Sequence, residues 1–292
     1  MKRFTLNLLA TFLAFAAGLA TATSWNSRRA ANAELLTVNL RRNCPPPQVQ
    51  MPVQTTPAVT VDSAPAEFVF GQGRLKLVPE QVLLKSESRR YDIDVKYPQI
   101  SGEDNPFIQR VNDNLKQIAT DKYKWPLNQS KEEIAVTREY HPGLFNTVTV
   151  TYEIGLATES FLSIHFLGYS VAAGAARSIQ QSSTVNYDLT SGRLLKLSDI
   201  FKPGSKYLEI LSLYCNDDLS RNTGRAPSAW AMTPRAENFE TWHITSNGIT
   251  FSFDSCRVFD CAEGDQTVEI PFTELKGVLS PGIPGKFKIT YP

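Results

Sequence analysis

Val148–Leu189 reads VTVTYEIGLATESFLSIHFLGYSVAAGAARSIQQSSTVNYDL. Val148, Val150, Tyr152 and Ile154 alternate with Thr149, Thr151 and Glu153, the period-two pattern of a strand with one buried face. Phe161 to Val171 and Ile179 to Leu189 give two further strands, with small residues at the turns between them. Three consecutive strands joined by short turns predict an antiparallel meander.

Elements on either side extend this sheet. Upstream, Tyr91, Ile93, Val95 and Tyr97 alternate with Asp92, Asp94 and Lys96, predicting another half-buried strand. A helix follows: Asn105 is a suitable N-cap, Pro106 suits the first helical position, and Phe107, Ile108, Val111, Leu115, Ile118 and Ala119 share one face. Downstream, Thr190-Ser191-Gly192 turns the chain into Leu194 to Leu197, and Ser198-Asp199 opens a short turn that ends at Lys202-Pro203-Gly204. A second amphipathic helix is predicted from about Lys206 to Leu219, with Leu208, Leu211 and Cys215 on its apolar face. Asn247-Gly248, flanked by Trp242, Ile244, Ile249, Phe251 and Phe253, predicts a hairpin whose two central residues take positive φ, and Thr267 to Ile270 is a further strand. Without regular βαβ alternation, the expectation is an α+β fold. It has a mostly antiparallel sheet and two main packing helices, in two subdomains at 67–159 and 160–292.

Residues 1–22 read as a signal peptide or signal anchor. Lys2 and Arg3 precede an uncharged stretch from Phe4 to Ala22 ending in Ala20-Thr21-Ala22, a small-x-small cleavage pattern. Its length, 19 residues, is also just enough to span a bilayer uncut. Arg28, Arg29, Arg41 and Arg42 beyond it oppose translocation of an anchor, which favours cleavage or else weakens the case for export altogether. Residues 23–66 form a spacer whose second half, CPPPQVQMPVQTTPAVTVDSAPA, has no helical period and a polyproline-like composition. The expectation is an exported protein, periplasmic or extracellular, with a possible single N-terminal membrane anchor.

The formal net charge is +1, and from Glu67 onward 24 basic side chains face 27 acidic ones. A nucleic-acid partner is not expected, because phosphate binding needs a basic surplus. The sequence holds no G-x-S-x-G elbow, Walker loop or dinucleotide fingerprint, and Gly168–Gly174 is too irregular to cradle phosphate. His141, His165 and His243 lie far apart in sequence and show no metal-ligand spacing, so neither cofactor nor metal is expected, and no catalytic residue is assigned. Glu132-Glu133 and Asp217-Asp218 read as solvated surface.

Cys44, Cys215, Cys256 and Cys261 contain no C-x-x-C pair. Four cysteines allow three connectivities. The short spacing favours Cys256–Cys261, leaving Cys44 with Cys215, and four reduced buried thiols are the alternative. Gly224–Glu240 (GRAPSAWAMTPRAENFE) has neither helical nor strand period and carries Arg225, Trp230, Met232 and Arg235. Long aperiodic loops are commonly functional, and Trp and Arg dominate binding hot spots, so these four residues form the candidate binding set. The competing reading packs Trp230 back onto the domain.

Two pairs of runs carry a family resemblance. DVKYPQISG (94–102) with NPFIQRVNDNL (105–115), and TVNYDLTSGRLLKLSDIF (184–201) with GITFSFDSCRVFDCAEGDQTVEIPFTEL (248–275), resemble the extracytoplasmic module of RsiV-type anti-sigma factors and PdaC-type peptidoglycan deacetylases. The resemblance spans about Tyr91 to Leu279. It implies a module outside the membrane, which senses lysozyme in the anti-sigma members and accompanies a separate catalytic domain in the deacetylases. The family's Gly-Gly-Ala-His turn corresponds here to Ala173-Gly174-Ala175-Ala176-Arg177, without the histidine. Cys256 and Cys261 stand where relatives have tyrosines, which supports their pairing. Only Met1 to Arg3 precede the apolar stretch, too little for a sigma-binding segment, and no room remains for a deacetylase domain. The expected function is therefore a non-catalytic envelope module that binds or senses a muramidase-like protein or a cell-wall glycan. A hydrolase with dispersed carboxylates and a structural envelope component are the alternatives.

Overall fold

The computed structural model describes residues 67–102, 106–121, 124–287 and 289. The leader, the spacer, Cys44 and the expected N-cap Asn105 lie outside these residues. Among the described residues no helix is long and apolar enough to cross a membrane.

Seven strands form the larger sheet in chain order: β1 (Phe68–Phe70), β2 (Leu75–Ser86), β3 (Tyr91–Gly102), β4 (Asn146–Thr158), β5 (Phe161–Val171), β6 (Ile179–Asp188) and β7 (Arg193–Leu194). Each neighbouring pair is antiparallel except β3 and β4, which run parallel with Tyr91 beside Asn146 and Val95 beside Val150. A parallel pair needs a crossover, and two helices supply it: α1 (Pro106–Asp121) and α2 (Lys131–Tyr140), separated by a 3₁₀ turn at Trp125–Asn128. The predicted meander is β4–β5–β6. β1 and β2 add strands that the sequence reading did not include.

Helix α1 starts at a proline and buries Val111, Asn112, Leu115 and Ala119. These side chains meet Ile93, Val95, Val148, Val150, Leu162, Ile164, Phe166, Val185 and Tyr187 in one apolar core. Asn112 is the polar member of this face. Its Nδ2 donates to the Ile100 carbonyl at 2.9 Å and its Oδ1 accepts from the Ile100 amide at 2.8 Å, so the buried amide satisfies both backbone groups of one strand residue. Helix α2 is held differently, with no buried residue of its own. Its capping box pairs Ser130 Oγ with the Glu133 amide and Glu133 Oε2 with the Ser130 amide.

The smaller sheet has the order β10–β9–β8: β8 (Trp242–Ile244), β9 (Gly248–Phe253) and β10 (Gln266–Pro271), all antiparallel. Helix α3 (Tyr207–Thr223) packs on it through Leu211, Cys215 and Leu219, and ends at Gly224 in the left-handed region at φ 70°. Short helices α4 (Phe272–Leu275) and α5 (Ile283–Lys286) close this second core. β4 and β5 are neighbours in the larger sheet, so the chain passes residue 160 within one layer. Phe161 on β5 already belongs to the second core, and from Leu195 onward all the buried apolar residues do.

The hairpin at Asn247-Gly248 is present, but its turn differs from the expectation. Gly248 does not take positive φ; it is the first residue of β9. The turn is organised by Thr245, whose Oγ1 accepts from the amides of Asn247 and Gly248, each at 3.1 Å. Glycine is required at 248 because a Cβ there would stand 2.2 Å from the Ile270 carbonyl oxygen. The local motif was real, and its cause is a tertiary close approach.

The two sheets meet along a polar seam. On β5 and β6, Leu162, Ile164, Val185 and Tyr187 face α1, so by alternation Ser163, His165, Thr184 and Asn186 face the other way. β8 lays its free edge on them. The Ile244 amide donates to Ser163 Oγ at 2.8 Å, Ser163 Oγ donates to Asn186 Oδ1 at 2.6 Å, Asn186 Nδ2 donates to the Trp242 carbonyl at 2.9 Å, and the Trp242 amide donates to Thr184 Oγ1 at 3.1 Å. Side chains of one sheet thus complete the backbone bonding of an edge strand in the other. Gly155 permits the approach, since a Cβ at that position would lie 2.3 Å from the Ile244 carbonyl oxygen.

Candidate functional site

The Gly224–Glu240 segment is ordered by three anchors. Ala231 and Met232 are buried in the second core, Asn238 Nδ2 donates to the Trp230 carbonyl at 3.0 Å and to Thr233 Oγ1 at 2.8 Å, and the Ser228 amide donates to the Val258 carbonyl at 2.8 Å. Because Ala231 and Met232 point inward, Trp230 is turned out and is 56% exposed. The competing reading, with Trp230 packed into the domain, does not describe this geometry. Met232 does not share the exposed surface. At 6% exposure it is a core residue, and its backbone carbonyl accepts from Ser212 Oγ.

Cys256 and Cys261 form a disulfide, and the residues between them face Trp230. The Arg257 guanidinium lies 4.6 Å from the centre of the Trp230 ring and donates to Asn238 Oδ1 at 3.0 Å and the Glu237 carbonyl at 3.2 Å. Such stacking over an indole is attractive because the ring face is electronegative, and the two hydrogen bonds fix the guanidinium in that position. Arg225 stacks over Phe259 at 5.5 Å and pairs with Glu263, with Asp260 at 3.9 Å. Together Arg225, Trp230, Arg257, Phe259 and Asp260 line an open groove of about 350 Å³. Arg235 is exposed and does not line this groove. The sequence reading missed Arg257, Phe259 and Asp260, although all three lie inside the short loop between the cysteines.

Cys215 is a free thiol at 0% exposure, in the core under α3. Burial pushes its pKa above the ordinary thiol range. Cys44, its expected partner, lies outside the described residues; on the apolar side of α3 the Cys215 thiol packs as a small hydrophobe.

Across the disulfide from the groove, Asp254 and Asp265 line a second hollow of about 710 Å³ with Arg177, Ile179 and Gly264. Burial raises the Asp265 carboxyl, and the charge of Asp254 adds to the shift. Asp254 Oδ1 accepts from the Ser182 amide at 2.9 Å, tying this end of β9 to β6. The carboxylate pairs singled out in the sequence lie elsewhere. Asp217 pairs with Arg221 at 2.9 Å on α3, and Glu133 belongs to the capping box of α2. Among the described residues no group of three or more His, Cys, Asp or Glu side chains is arranged to hold a metal ion.

Two of the three histidines, distant in sequence, meet in the seam. The rings of His165 and His243 stack with centres 4.8 Å apart and planes inclined by 13°.

Residues 198–273 match the family described as "Protein of unknown function (DUF3298)". The match spans α3, the Trp230 segment and the smaller sheet. Peptidoglycan-N-acetylmuramic acid deacetylase PdaC of Bacillus subtilis (strain 168) is 26% identical over 204 residues, which cover 68% of this chain and 41% of the relative. The chain thus spans less than half the length of that relative. A DUF3298 family structure from Bacteroides fragilis has a TM-score of 0.52 at 17% identity, covering 73% of this chain and 97% of the other. A DUF3298 family structure from Pseudomonas aeruginosa PAO1 gives a TM-score of 0.48 at 14% identity, over 72% and 95% of the two chains. By sequence this chain is linked at the family level to DUF3298 and to PdaC.

Proposed function

We propose that this chain is an exported, non-catalytic binding module of the bacterial envelope that holds a cell-wall ligand at the Trp230 groove. The observation that carries this reading is an exposed indole fixed by Arg257 on the rim of an open polar groove. An aromatic platform bordered by Arg225, Asp260 and Ser228 offers one apolar face and several hydrogen-bonding groups, the combination that orients a polar ligand. The similarity to PdaC, whose name places it on peptidoglycan, and the N-terminal export pattern support a wall-facing location. Glycan is the favoured ligand. A wall-associated protein of muramidase type is supported by the Trp and Arg composition of the same surface.

The test is co-sedimentation of the chain with purified peptidoglycan, alongside titration with lysozyme, for the wild type and Trp230→Ala. Binding of either ligand should weaken roughly thirtyfold in the variant, the effect of losing about 2 kcal/mol. Equal binding by both proteins, or no binding of either ligand, refutes the assignment. A second reading, a hydrolase, draws on Asp254 and Asp265, since a carboxyl whose pKa is raised by burial beside a second carboxyl is a candidate proton donor. Release of soluble muropeptides by the wild type, abolished in Asp265→Asn, would favour it.

A further inference from the structure

His165 is 4% exposed and His243 is 7% exposed, and they come from different sheets: His165 from β5, His243 from β8. Neither ring nitrogen of His165, nor Nδ1 of His243, meets a partner within hydrogen-bonding distance among the described residues, although Glu153, 3.6 Å from His165 Nδ1, is held below the ordinary carboxylate range by that imidazole. Buried imidazoles normally find such partners, so this stack requires an explanation. The rings lie nearly parallel, so their in-plane lone pairs run side by side and do not converge on one ion. What the arrangement does provide is a contact between the sheets in which a proton on His243 would be buried against another ring.

The surrounding groups are few. From β4, Glu153 places Oε2 3.6 Å from His165 Nδ1, with its side chain 64% exposed. From β5 comes Tyr169, and from the ends of β9 and β10 come Asp254 and Asp265. β6 contributes Ser182 and Thr184, which do not titrate in this range. The neighbouring carboxylate thus sits on the His165 side, and a proton on His243 would be buried against another imidazole.

We propose that the His165–His243 stack is an acid-sensitive clasp, whose protonation lifts the β8 edge from the larger sheet while the rest of the domain stays folded. The opening is local because the ties that α5 and Phe287 make to the larger sheet do not involve β8. Lys286 Nζ pairs with Asp188 at 2.6 Å, and Phe161 packs on Phe287 with centres 4.4 Å apart. The same conclusion follows from the electrostatics of the closed state. Burial first, and His165 second, push His243 down to about 4, with Glu153 opposing weakly. An open seam returns His243 to water and to its ordinary range, so opening is coupled to uptake of one proton. This inference stands apart from the binding reading and needs no ligand.

The test is native-state hydrogen exchange on the full chain, followed as protection factors between about pH 7 and pH 4.5. The reporters are the amides of Trp242 and Ile244, which bond to Thr184 and Ser163 across the seam. The Val150 amide in the first core is the control. Seam protection should fall roughly tenfold per pH unit below about pH 6 while Val150 stays constant, and the fall should vanish in His243→Phe, which keeps a ring in the stack. Unchanged seam protection, a parallel loss at Val150, or the same fall in His243→Phe overturns the proposal. Should that variant not fold, the wild-type His243 titration read by NMR decides. Titration near the ordinary value in the folded protein also overturns it.

Discussion

Asn186→Ala is the sharpest probe of how the two sheets are joined. Asn186 accepts from Ser163 Oγ at 2.6 Å and donates to the Trp242 carbonyl at 2.9 Å, in a position that is 2% exposed. Truncation leaves a buried carbonyl and a buried hydroxyl without their partners. Each orphaned group costs about 1 to 3 kcal/mol, and the hydroxyl can rotate to recover part of its share, so the expected loss is about 3 kcal/mol. For a folded unit of this size, each kcal/mol lowers the melting temperature by about 2 to 4 °C. The fall should be about 6 to 12 °C by calorimetry. Ser163→Ala removes the adjoining link in the same chain, and the double variant should lose clearly less than the sum of the two singles. A melting temperature within about 2 °C of wild type for Asn186→Ala, or strict additivity, would show that the seam is held by its apolar flanks alone.

Four further outcomes are expected. Gly155→Ala brings a methyl group against the Ile244 carbonyl and should destabilise by about 1 to 3 kcal/mol, whereas Gly204→Ala, which meets nothing within 4 Å but strains a positive φ, should cost less; equal melting curves for the two refute the close-approach argument. Trp230→Ala should leave the melting temperature nearly unchanged, while Met232→Ala should lower it by about 2 to 4 kcal/mol equivalent, and the reverse order would contradict their assigned environments. Reduction of Cys256–Cys261 should cost about 1 to 2 kcal/mol, because so short a loop restricts the unfolded chain little; a collapse of the fold on reduction would refute this. The last concerns pH. The folded-state value of His243, about 4, lies below its ordinary 6.5, so between these values the unfolded chain binds more protons. Stability is therefore full above about pH 6.5 and is lost as pH falls toward 4, up to about 3 kcal/mol; denaturant titrations should show this slope in the wild type and a flatter one in His243→Phe.

Much of the architecture could be read from periodicity because the elements concerned are one-sided. β4 and α1 each present a single apolar face to the first core, so Val148, Val150 and Tyr152, and Val111, Leu115 and Ala119, announce themselves. β2 gave no such signal. Its residues are mostly exposed or half-buried, and Pro79 and Glu80 interrupt its pattern, because it lies toward the edge of the sheet. The polar face of β5 was visible as Ser163 and His165, but what it meets depends on β8, about eighty residues later. Hydrogen bonds such as Ile244 to Ser163 carry no local trace. The binding surface divides in the same way. Trp230 stood out by its residue type, whereas Arg257 is recognisable only once the disulfide loop folds back over the indole. Met232 was misplaced because an aperiodic segment gives no means of deciding which of two neighbouring apolar residues turns inward.

β1 covers only the first residues of β2, from Leu75 to Leu77, so beyond that point the outer side of β2 has no strand beside it among the described residues. An open backbone edge of this length can recruit a strand from another molecule, the usual beginning of aggregation. The sequence along it counters that hazard. Pro79 has no amide hydrogen to offer, and Glu80 and Lys85 put charges where an incoming chain would have to lie. This protection matters most in the unfolded or refolding chain, before α1 has closed the first core. Replacing Pro79 and Lys85 with valine should thus be nearly silent in the folded state and raise the yield of aggregate on refolding.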